Sequence, residues 1–402
     1  MKRAVISASR VVLPNAILQE GYVLVEEGII RETGTGTKPP ADHTLDFPGQ
    51  ILVPGFIDLH VHGADGADFM DGTVEAFATA CRAHLRHGTT GLLTTSTAGS
   101  TGEITAFLKT CGELTGKLKL GQARVLGAHL YGPYFQSAAK GCHPGSGIVP
   151  PVPSQYFEFL KYADIIRTAS VAPELPGAEK FVKDCLARGI HCNAGHSHAE
   201  FSQVRQAVEW GVRHVDHLFC AMSDRAKLRQ TQTYPMRGGL LEATLFFDQL
   251  TTEVIADGKH LSDELLALAC KIKSPEKLAI VTDSNRAMDQ PDGEYWFGKT
   301  GTGTLIQKRD GVGVMPDGLS LASGVMGMDQ GVRIMARASG LPLEEVIQMA
   351  TLTPARIAGV EKNFGSIAVG KVGDFTVLDS HLEVRTVIQS GQVAFTKAGA
   401  VS

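Results

Sequence analysis

The middle of the chain alternates short apolar runs with stretches in which apolar residues recur every three or four positions. The apolar runs predict eight strands, which are Ile51–His60, Thr90–Thr95, Arg124–Leu130, Ile165–Val171, Ile190–Gly195, Arg213–Leu218, Thr252–Ala256 and Leu278–Thr282. Helical spacing lies between most of them, as in Glu75–His87, Ala178–Ala187 and Glu200–Trp210. Because strands alternate with helices, the pattern predicts an α/β protein with a (β/α)8 TIM-type barrel, a fold of roughly 250 residues.

Both ends of the chain have a different pattern, in which short two-sided strands are separated by turns. Near the N-terminus these strands are Lys2–Ser7, Tyr22–Glu26 and Gly28–Arg31, and near the C-terminus they are Gly373–Asp379 and Val384–Phe395. The similar pattern predicts that residues 1–50 and 363–402 form one small β-sandwich domain. Residues 51–362 would then form the catalytic barrel.

Composition narrows the class of protein. The 402 residues are 43% hydrophobic and 20% charged, as in an ordinary globular protein, and their number allows a large buried core. The net charge of −4, without a long Lys/Arg run, argues against nucleic-acid binding, and no apolar run is long enough to span a membrane. The N-terminus begins like a signal peptide, but Ser7, Ser9 and Arg10 interrupt its apolar stretch, which predicts a cytoplasmic protein. Seven scattered cysteines without a CxxC pair indicate reduced thiols.

Histidines and an aspartate recur at the predicted strand ends. His60 and His62 point to the same face, because side chains alternate along a strand. His196, His217 and Asp283 follow the fifth, sixth and eighth strands, and barrel active sites lie at this end of the strands. Any one of these residues alone would more readily be a hydrogen-bonded core residue. Together they predict a catalytic site for one divalent metal ion, with zinc, iron, manganese and nickel as candidates.

Several motifs carry a resemblance to a known family. They are Pro54-Gly-Phe-Ile-Asp-Leu-His-Val-His-Gly, Gly195-His-Ser-His-Ala, His217-Leu-Phe-Cys-Ala-Met, Ile255-Ala-Asp-Gly-Lys-His, Val281-Thr-Asp and Ala350-Thr-Leu-Thr-Pro-Ala-Arg. The chain resembles the amidohydrolase superfamily over nearly its whole length, and within it the N-acetylglucosamine-6-phosphate deacetylases. The resemblance implies a hydrolase of amide bonds in amino sugar metabolism, a homodimer that removes the acetyl group from an N-acetylhexosamine 6-phosphate.

The resemblance also implies roles for individual residues. Asp283 would be the general base, taking a proton from the metal-activated water and delivering it to the leaving amine. His143 would polarise the acetyl carbonyl and stabilise the oxyanion, and His260 would contact the substrate. The alternative for His143 is a solvated loop histidine.

The third strand departs from the family pattern. The deacetylases have His-Leu-Glu-Gly-Pro here, with a metal-binding glutamate, whereas this chain has His129-Leu-Tyr131-Gly-Pro. A phenol with an ordinary pKa of about 10 stays neutral, so the second metal position keeps only His196 and His217. We therefore expect one metal ion, most simply zinc, held by the first-strand histidines and Asp283, with His196 or His217 completing the set. Tyr131 would then line the substrate pocket, and a tyrosinate ligand is the alternative.

A second departure concerns the anionic end of the substrate. Cys220, beside Ala221, replaces an asparagine that helps the deacetylases hold the sugar phosphate, and a thiol is a poor partner for phosphate. The following loop contains four basic residues, of which Arg229 and Arg237 are the expected contacts with a phosphate or carboxylate, across a dimer interface or within one chain. The alternative is an exposed basic loop.

These departures leave two other functions open. One is hydrolysis of a different N-acyl or C–N substrate, and the other is a catalytically silent paralogue with a scaffold role. Retention of His60, His62, His143 and Asp283 argues against silence, because burying polar groups without partners is costly. Metal content distinguishes an enzyme from a scaffold.

Overall fold

The computed structural model of the chain describes residues 3–231 and 234–398. Lys2, which begins the predicted N-terminal strand Lys2–Ser7, and residues 399–402 of the expected β domain lie outside the described residues. The strands in the described ranges are β1 (Arg3–Leu13), β2 (Ala16–Glu26), β3 (Ile29–Thr35), β4 (His43–Pro54), β5 (Phe56–Val61), β6 (Gly63–Ala64), β7 (Ala67–Asp68), β8 (Thr89–Thr95), β9 (Arg124–Leu130), β10 (Ile166–Val171), β11 (His191–Ala194), β12 (His214–Val215), β13 (Thr251–Ile255), β14 (Leu278–Val281), β15 (Gly293–Phe297), β16 (Thr304–Arg309), β17 (Val312–Val314), β18 (Phe375–Leu378), β19 (Val384–Gln389) and β20 (Gln392–Thr396).

The helices lie mainly between the strands of the central region. They are α1 (Val74–Arg86), α2 (Thr101–Leu114), α3 (Pro153–Phe159), α4 (Ala178–Leu186), α5 (Phe201–Trp210), α6 (Arg225–Leu228), α7 (Leu240–Phe246), α8 (Asp263–Ile272), α9 (Met328–Ser339), α10 (Leu343–Met349) and α11 (Leu352–Ile357). None of the helices in the described ranges is long and apolar enough to cross a membrane.

Eight parallel strands form the barrel. Their hydrogen-bonded order is β14-β13-β12-β11-β10-β9-β8-β5, so that neighbours in the sheet follow one another in the chain. A parallel bridge between Val61 and Ser284 joins the first barrel strand to the segment after the last one. The buried strands and the helices around them share a large apolar core. The predicted barrel is therefore confirmed.

The prediction of the first barrel strand, Ile51–His60, is wrong in one respect, because this range contains parts of two strands. Ile51–Pro54 is the end of β4, which belongs to the terminal sheet, and the barrel strand begins at Phe56. Gly55 joins them where the backbone passes close to Thr90, so that a Cβ atom at Gly55 would lie 2.1 Å from Thr90 Oγ1. Apolar periodicity continues across this joint, which is why the sequence pattern does not reveal it.

The terminal segments meet in one mixed sheet of seven strands among the described residues. Its order is β20-β19-β18-β4-β1-β2-β3, with β4 parallel to β1 and antiparallel to β18. A separate apolar core lies against this sheet and includes Ile6, Val23, Leu52 and Ile388. The predicted small β domain from both termini is confirmed as part of the fold. Because β4 runs without a break into Gly55 and β5, the sheet is directly connected to the barrel strand that carries His60.

An inserted hairpin sheet, which the sequence pattern did not predict, follows the last barrel strand. Strands β15, β16 and β17 pair antiparallel between Gly293 and Val314. Phe297, at the end of β15, is 1% exposed and its ring centroid lies 4.9 Å from that of His62. The insertion therefore supplies an apolar wall beside the strand-end histidines.

Candidate active site

The seam that closes the barrel brings the first and last barrel strands together. The backbone N–H of Asp283 donates to the carbonyl of His60 at 2.9 Å, and that of His62 donates to the carbonyl of Ser284 at 2.9 Å. These bonds hold the end of β5 against the residues that follow β14. His60, His62 and Asp283, which are far apart in sequence, therefore lie side by side.

These three side chains form a candidate metal centre. Asp283 Oδ1 lies 3.6 Å from His60 Nε2 and 3.3 Å from His62 Nε2. Four ligands placed about 2.1 Å from a tetrahedral ion are separated by about 3.4 Å, so these distances fit one cation. His60 Nε2 and both ring nitrogens of His62 have no hydrogen-bond partner among the described residues, although they are buried. The nitrogen and carboxylate donors suit a divalent transition metal ion.

The electrostatic environment of this group favours positive charge. Burial disfavours the charged form of His60, but the carboxylates of Glu253 and Asp283 outweigh it and raise the pKa of His60 to about 9. Burial also opposes ionisation of Asp283, yet the imidazoles of His60 and His62 hold the pKa of its carboxyl well below the usual range. The negative field that attracts a proton to His60 would equally stabilise a cation.

Tyr131 and His217 form a buried pair next to this group. The Tyr131 hydroxyl lies 2.5 Å from His217 Nε2, and His217 Nδ1 lies 3.2 Å from the carbonyl oxygen of Cys220. Because that carbonyl can only accept, Nδ1 carries the proton and Nε2 accepts from the phenol. Burial raises the pKa of Tyr131 well above its ordinary value, and nearby carboxylates raise it further. The phenol is therefore a neutral donor that occupies the lone pair of His217.

His196 presents its ring to the same space. Its Nδ1 lies 2.6 Å from the carbonyl oxygen of Ala139, so that Nδ1 donates and the lone pair is on Nε2. The centroid of its ring is 5.0 Å from that of His217 and 5.3 Å from that of Tyr131. Burial keeps the pKa of His196 well below its ordinary value, and the neighbouring His217 acts in the same direction.

The backbone at these residues is unusual. The φ angles are +45° at His196, +24° at His217, +50° at Ala221 and +45° at Asp283. Residues with a Cβ atom rarely adopt this left-handed region, and such residues cluster at functional sites. Three of the predicted metal-site residues, His196, His217 and Asp283, thus have a backbone conformation that residues with a Cβ atom rarely adopt.

A cavity of about 510 Å³ opens above this group. His62, His143, His217, His260 and Asp283 are among its lining residues. The Nδ1 atom of His143 accepts a hydrogen bond from the backbone N–H of Ala98 at 3.2 Å. Burial, together with the neighbouring imidazoles, holds the pKa of His143 well below its usual value, so the ring is neutral. Its proton is therefore on Nε2, which makes His143 a hydrogen-bond donor at the cavity wall.

The predicted substrate contacts next to the sixth and seventh strands also line the cavity. His260 Nδ1 lies 2.7 Å from Asp257 Oδ2; burial opposes its charged form, but Asp257 raises the pKa of His260 above its ordinary value. Cys220 and Ala221 lie at the cavity wall. Burial raises the pKa of the Cys220 thiol to about 12, and Asp283 and Asp257 raise it further. The cavity therefore holds a neutral thiol and a histidine that favours its charged form.

The structure places the basic loop differently from expectation. Lys227 and Lys140 line the cavity, whereas Arg229 and Arg237 are not among its described lining residues. The Arg237 guanidinium is 2.8 Å from Glu200 Oε2 on the protein surface, and it lies at a separate depression with Phe201 and Arg205. Within one chain, Arg229 and Arg237 are turned outward, and the cations that line the cavity beside this loop are lysines.

Sequence reasoning missed Glu253, which lies in the centre of β13. Its Oε1 atom is 2.6 Å from His60 Nδ1, and its side chain is 1% exposed. One signal could have found it, since Glu253 is a charged residue inside an apolar run that forms a buried strand. The apolar run does not indicate that the partner of Glu253 is His60, which lies 193 residues away in the sequence.

The chain is similar to known proteins over nearly its whole length. The model of the amidohydrolase family matches residues 51–398. An N-acetylglucosamine-6-phosphate deacetylase of Bacillus subtilis (strain 168) is 29% identical over 390 residues, covering 96% of this chain and 95% of that protein. An N-acetylgalactosamine-6-phosphate deacetylase of Escherichia coli O157:H7 is 29% identical over 400 residues, covering 97% and 99%.

Solved structures give the same result. The N-acetylglucosamine-6-phosphate deacetylase of Pasteurella multocida superposes with a TM-score of 0.90 at 26% identity, covering 98% of this chain and all of that one. A mutant of the N-acetyl-D-glucosamine-6-phosphate deacetylase from Mycobacterium smegmatis, in complex with N-acetyl-D-glucosamine-6-phosphate, gives a TM-score of 0.88 at 25% identity with the same coverage.

Proposed function

The chain belongs to the amidohydrolase family, and from this we propose that it is a metal-dependent deacetylase of an N-acetylhexosamine 6-phosphate. The observation that carries the proposal is the group formed by His60, His62 and Asp283, in which His60 Nε2 and both ring nitrogens of His62 lack a described partner and His62 and Asp283 line a substrate-sized cavity. The similarity to aminosugar-phosphate deacetylases over nearly the full length supports amide hydrolysis. No observation favours a different C–N substrate or a silent scaffold.

The proposed site holds one cation, which we take to be zinc. His60, His62 and Asp283 lie close enough together to supply three ligands. His196 would be the fourth because its Nε2 lone pair is directed away from the Ala139 carbonyl, and its ring would move toward the other three on binding. His217 is unsuited to that role, since its Nε2 atom already accepts from Tyr131. This pairing supports His196 over His217 as the fourth ligand, and it supports a neutral Tyr131 over a tyrosinate ligand.

The chemistry begins with proton transfer at Asp283. A divalent cation held by these residues would supply Lewis acidity, which lowers the pKa of a water molecule toward about 7. The Asp283 carboxylate is 8% exposed, lines the cavity and is ionised, so it can take the proton of the attacking water and return it to the leaving nitrogen. Water oxygen bonds to the acetyl carbon, the C–N bond breaks, and acetate and a free amine result.

His143 would bind the acetyl carbonyl oxygen. Its Nε2–H is the donor at the cavity wall, because the Ala98 N–H occupies Nδ1. A neutral donor with a fixed tautomer can stabilise the negative charge that develops on this oxygen. Phe297, whose ring centroid is 5.2 Å from that of His143, covers the site with apolar surface and excludes water.

The anionic end of the substrate would meet Lys227, Lys140 and His260. All three line the cavity, and the Lys227 ammonium group reaches it from the short helix α6 while donating to the Met222 carbonyl at 2.9 Å. Ammonium and imidazolium groups compensate for the loss of the amide that Cys220 replaces. We accordingly propose that phosphate recognition has moved from the family's asparagine to these cations.

The experiment that tests the proposal is a deacetylation assay with zinc-loaded protein. N-Acetylglucosamine 6-phosphate and N-acetylgalactosamine 6-phosphate are offered separately, and acetate and free amine are measured. We expect equimolar release with at least one of them, and none from Asp283→Asn or His60→Ala protein that is still folded. Release only from other N-acyl compounds would identify a different amidohydrolase, and no release from metal-loaded protein would favour the scaffold.

The proposed enzyme is a cytoplasmic homodimer. All seven cysteines are free, as expected for a reducing compartment. Tyr234, Met236 and Phe246 are large apolar side chains with exposed fractions of 85%, 51% and 67%, which suits an interface near the basic loop. Light scattering of the purified chain would give the mass of a dimer, whereas a monomer mass would remove this part of the proposal.

A further inference from the structure

Glu253 is a buried carboxylate that the reaction itself does not use. Its Oε1 atom lies 2.6 Å from His60 Nδ1 and 3.3 Å from the backbone nitrogen of His217, and its Oε2 atom lies 3.1 Å from His214 Nε2. A buried charge is retained only where partners compensate for lost hydration. Glu253, on β13, therefore connects β5, β12 and the segment that follows β12.

The bond to Glu253 determines which nitrogen of His60 can bind a cation. The backbone N–H of His217 is an obligatory donor to Oε1, so this oxygen is an acceptor, and the proton of the His60–Glu253 bond belongs to His60 Nδ1. In the neutral ring that binds a cation, the lone pair of His60 is then on Nε2. That atom has no described partner and faces Asp283 Oδ1 at 3.6 Å.

The position of Glu253 is itself held from the far side. Glu253 Oε2 accepts from His214 Nε2–H, and His214 Nδ1 lies 2.8 Å from Thr251 Oγ1, which is also 3.0 Å from the Arg213 carbonyl oxygen. The hydrogen bonds thus run from Thr251 through His214 and Glu253 to His60. This connected network leaves the carboxylate little freedom to rotate away from the imidazole.

We propose that Glu253 is a positioning residue that fixes the tautomer and orientation of His60 for metal binding, with His214 holding the carboxylate in place. The inference rests on the proposed function, since it requires a cation at His60. Carboxylates that hold metal-ligating histidines generally contribute 10- to 100-fold to metal affinity. Glu253 acts through His60 and does not touch the substrate.

The test measures the affinity of the full-length protein for Zn²⁺ by competition with a chromogenic chelator. Glu253→Gln removes the charge while nearly preserving shape, and Glu253→Asp keeps the charge but withdraws the carboxylate from His60. The matched control is Asp216→Asn, because Asp216 is equally buried nearby but accepts from Ser170 at 2.6 Å and Asn193 at 2.9 Å rather than from a candidate ligand. Thermal unfolding verifies that each variant is folded.

We expect Zn²⁺ affinity to fall about 10- to 100-fold in Glu253→Gln, to fall less in Glu253→Asp, and to change less than about threefold in Asp216→Asn. Wild-type affinity in both Glu253 variants would overturn the inference, and so would an equal loss in Asp216→Asn, since any buried charge would then have the same effect. If Glu253→Gln does not fold, wild-type affinity in Glu253→Asp overturns it. Absence of Zn²⁺ binding by the wild type would refute the proposed function as well.

Discussion

The hydroxyl of Tyr131 donates a hydrogen bond to Nε2 of His217 across 2.5 Å, in a part of the barrel where both side chains are buried. The nitrogen that could bind a second cation is thereby occupied by a neutral group from the same chain. The glutamate that the deacetylase family has at this position would instead add a negative charge and an oxygen ligand. This substitution thus bears directly on how many metal ions the site holds.

Replacing the phenol with a carboxylate should restore a second metal position. Tyr131→Glu is expected to raise the content of tightly bound metal from one ion per chain to two, because the new carboxylate and His217 would form a second ligand set, to which His196 would transfer from the first ion. Elemental analysis after gel filtration measures it, with Tyr131→Phe as the control that should stay at one. Two ions in the wild-type protein, or one in Tyr131→Glu, would contradict the interpretation.

Loss of the donor at His143 should affect turnover far more than substrate binding. His143→Ala is expected to reduce kcat about 10²- to 10³-fold with a small change in KM, because the carbonyl oxygen becomes negatively charged only in the transition state. Steady-state kinetics measure it, and zinc content verifies that the metal site is intact. An unchanged kcat would mean that another group stabilises this oxygen.

Lys227 should distinguish phosphorylated from unphosphorylated substrates. Lys227→Met is expected to lower kcat/KM for the 6-phosphate by about 10- to 100-fold, since a charge-assisted hydrogen bond contributes about 1.5–3 kcal/mol. The value for the unphosphorylated sugar should not change. Arg237→Met is the matched control, because Arg237 pairs with Glu200 outside the cavity and should leave both values unaltered.

A larger effect of Arg237→Met than of Lys227→Met would show that the arginine reaches the substrate of a neighbouring chain. The within-chain assignment to Lys227 would then be wrong, and the contact across a dimer interface would replace it.

The stability of the protein should fall as pH rises through the alkaline range because of His87. Its Nδ1 atom lies 2.9 Å from Asp329 Oδ1 and its Nε2 atom 3.0 Å from Asp289 Oδ1, with Arg86 and Arg333 also paired to these carboxylates. Burial opposes the charged form, but the two carboxylates raise the pKa of His87 to about 9. An unfolded chain releases this proton near pH 6.5, so the contribution is complete below that pH and is lost between about 6.5 and 9.

The check is the midpoint of urea unfolding at pH 6, 7.5 and 9. The urea midpoint of His87→Gln should decline less over this pH range than that of the wild type. The midpoint of His381→Gln, which alters an exposed histidine, should decline as in the wild type. Parallel curves for all three proteins would mean that His87 does not carry the pH dependence.

Sequence reasoning succeeded where the relevant pattern is local. The alternation of side chains along a strand placed His60 and His62 on one face, and the common direction of barrel strands brought Asp283 to the same end. The helices α1, α4 and α5 begin and end within one residue of their predicted bounds, since apolar spacing defines them.

It did not succeed where partners are distant in sequence or depend on loop geometry. The pairing of Tyr131 with His217 spans 86 residues, and that of Glu253 with His60 spans 193. No local pattern encodes either contact. The basic loop presented four equivalent cations in sequence, and only its three-dimensional course determines that Lys227 lines the cavity while Arg237 pairs with Glu200.

The central claim is that this chain is a deacetylase that uses one metal ion. Its most direct test adds zinc stepwise to metal-free protein and measures the rate of acetate release from an N-acetylhexosamine 6-phosphate. In the proposed site, His60, His62 and Asp283 bind one ion, and Tyr131 blocks the second position. The rate should therefore rise linearly with added zinc and stop rising at one equivalent per chain. A rise that continues to two equivalents would contradict the single-metal site. No acetate release at any zinc content, with either the gluco or the galacto substrate, would contradict the deacetylase itself.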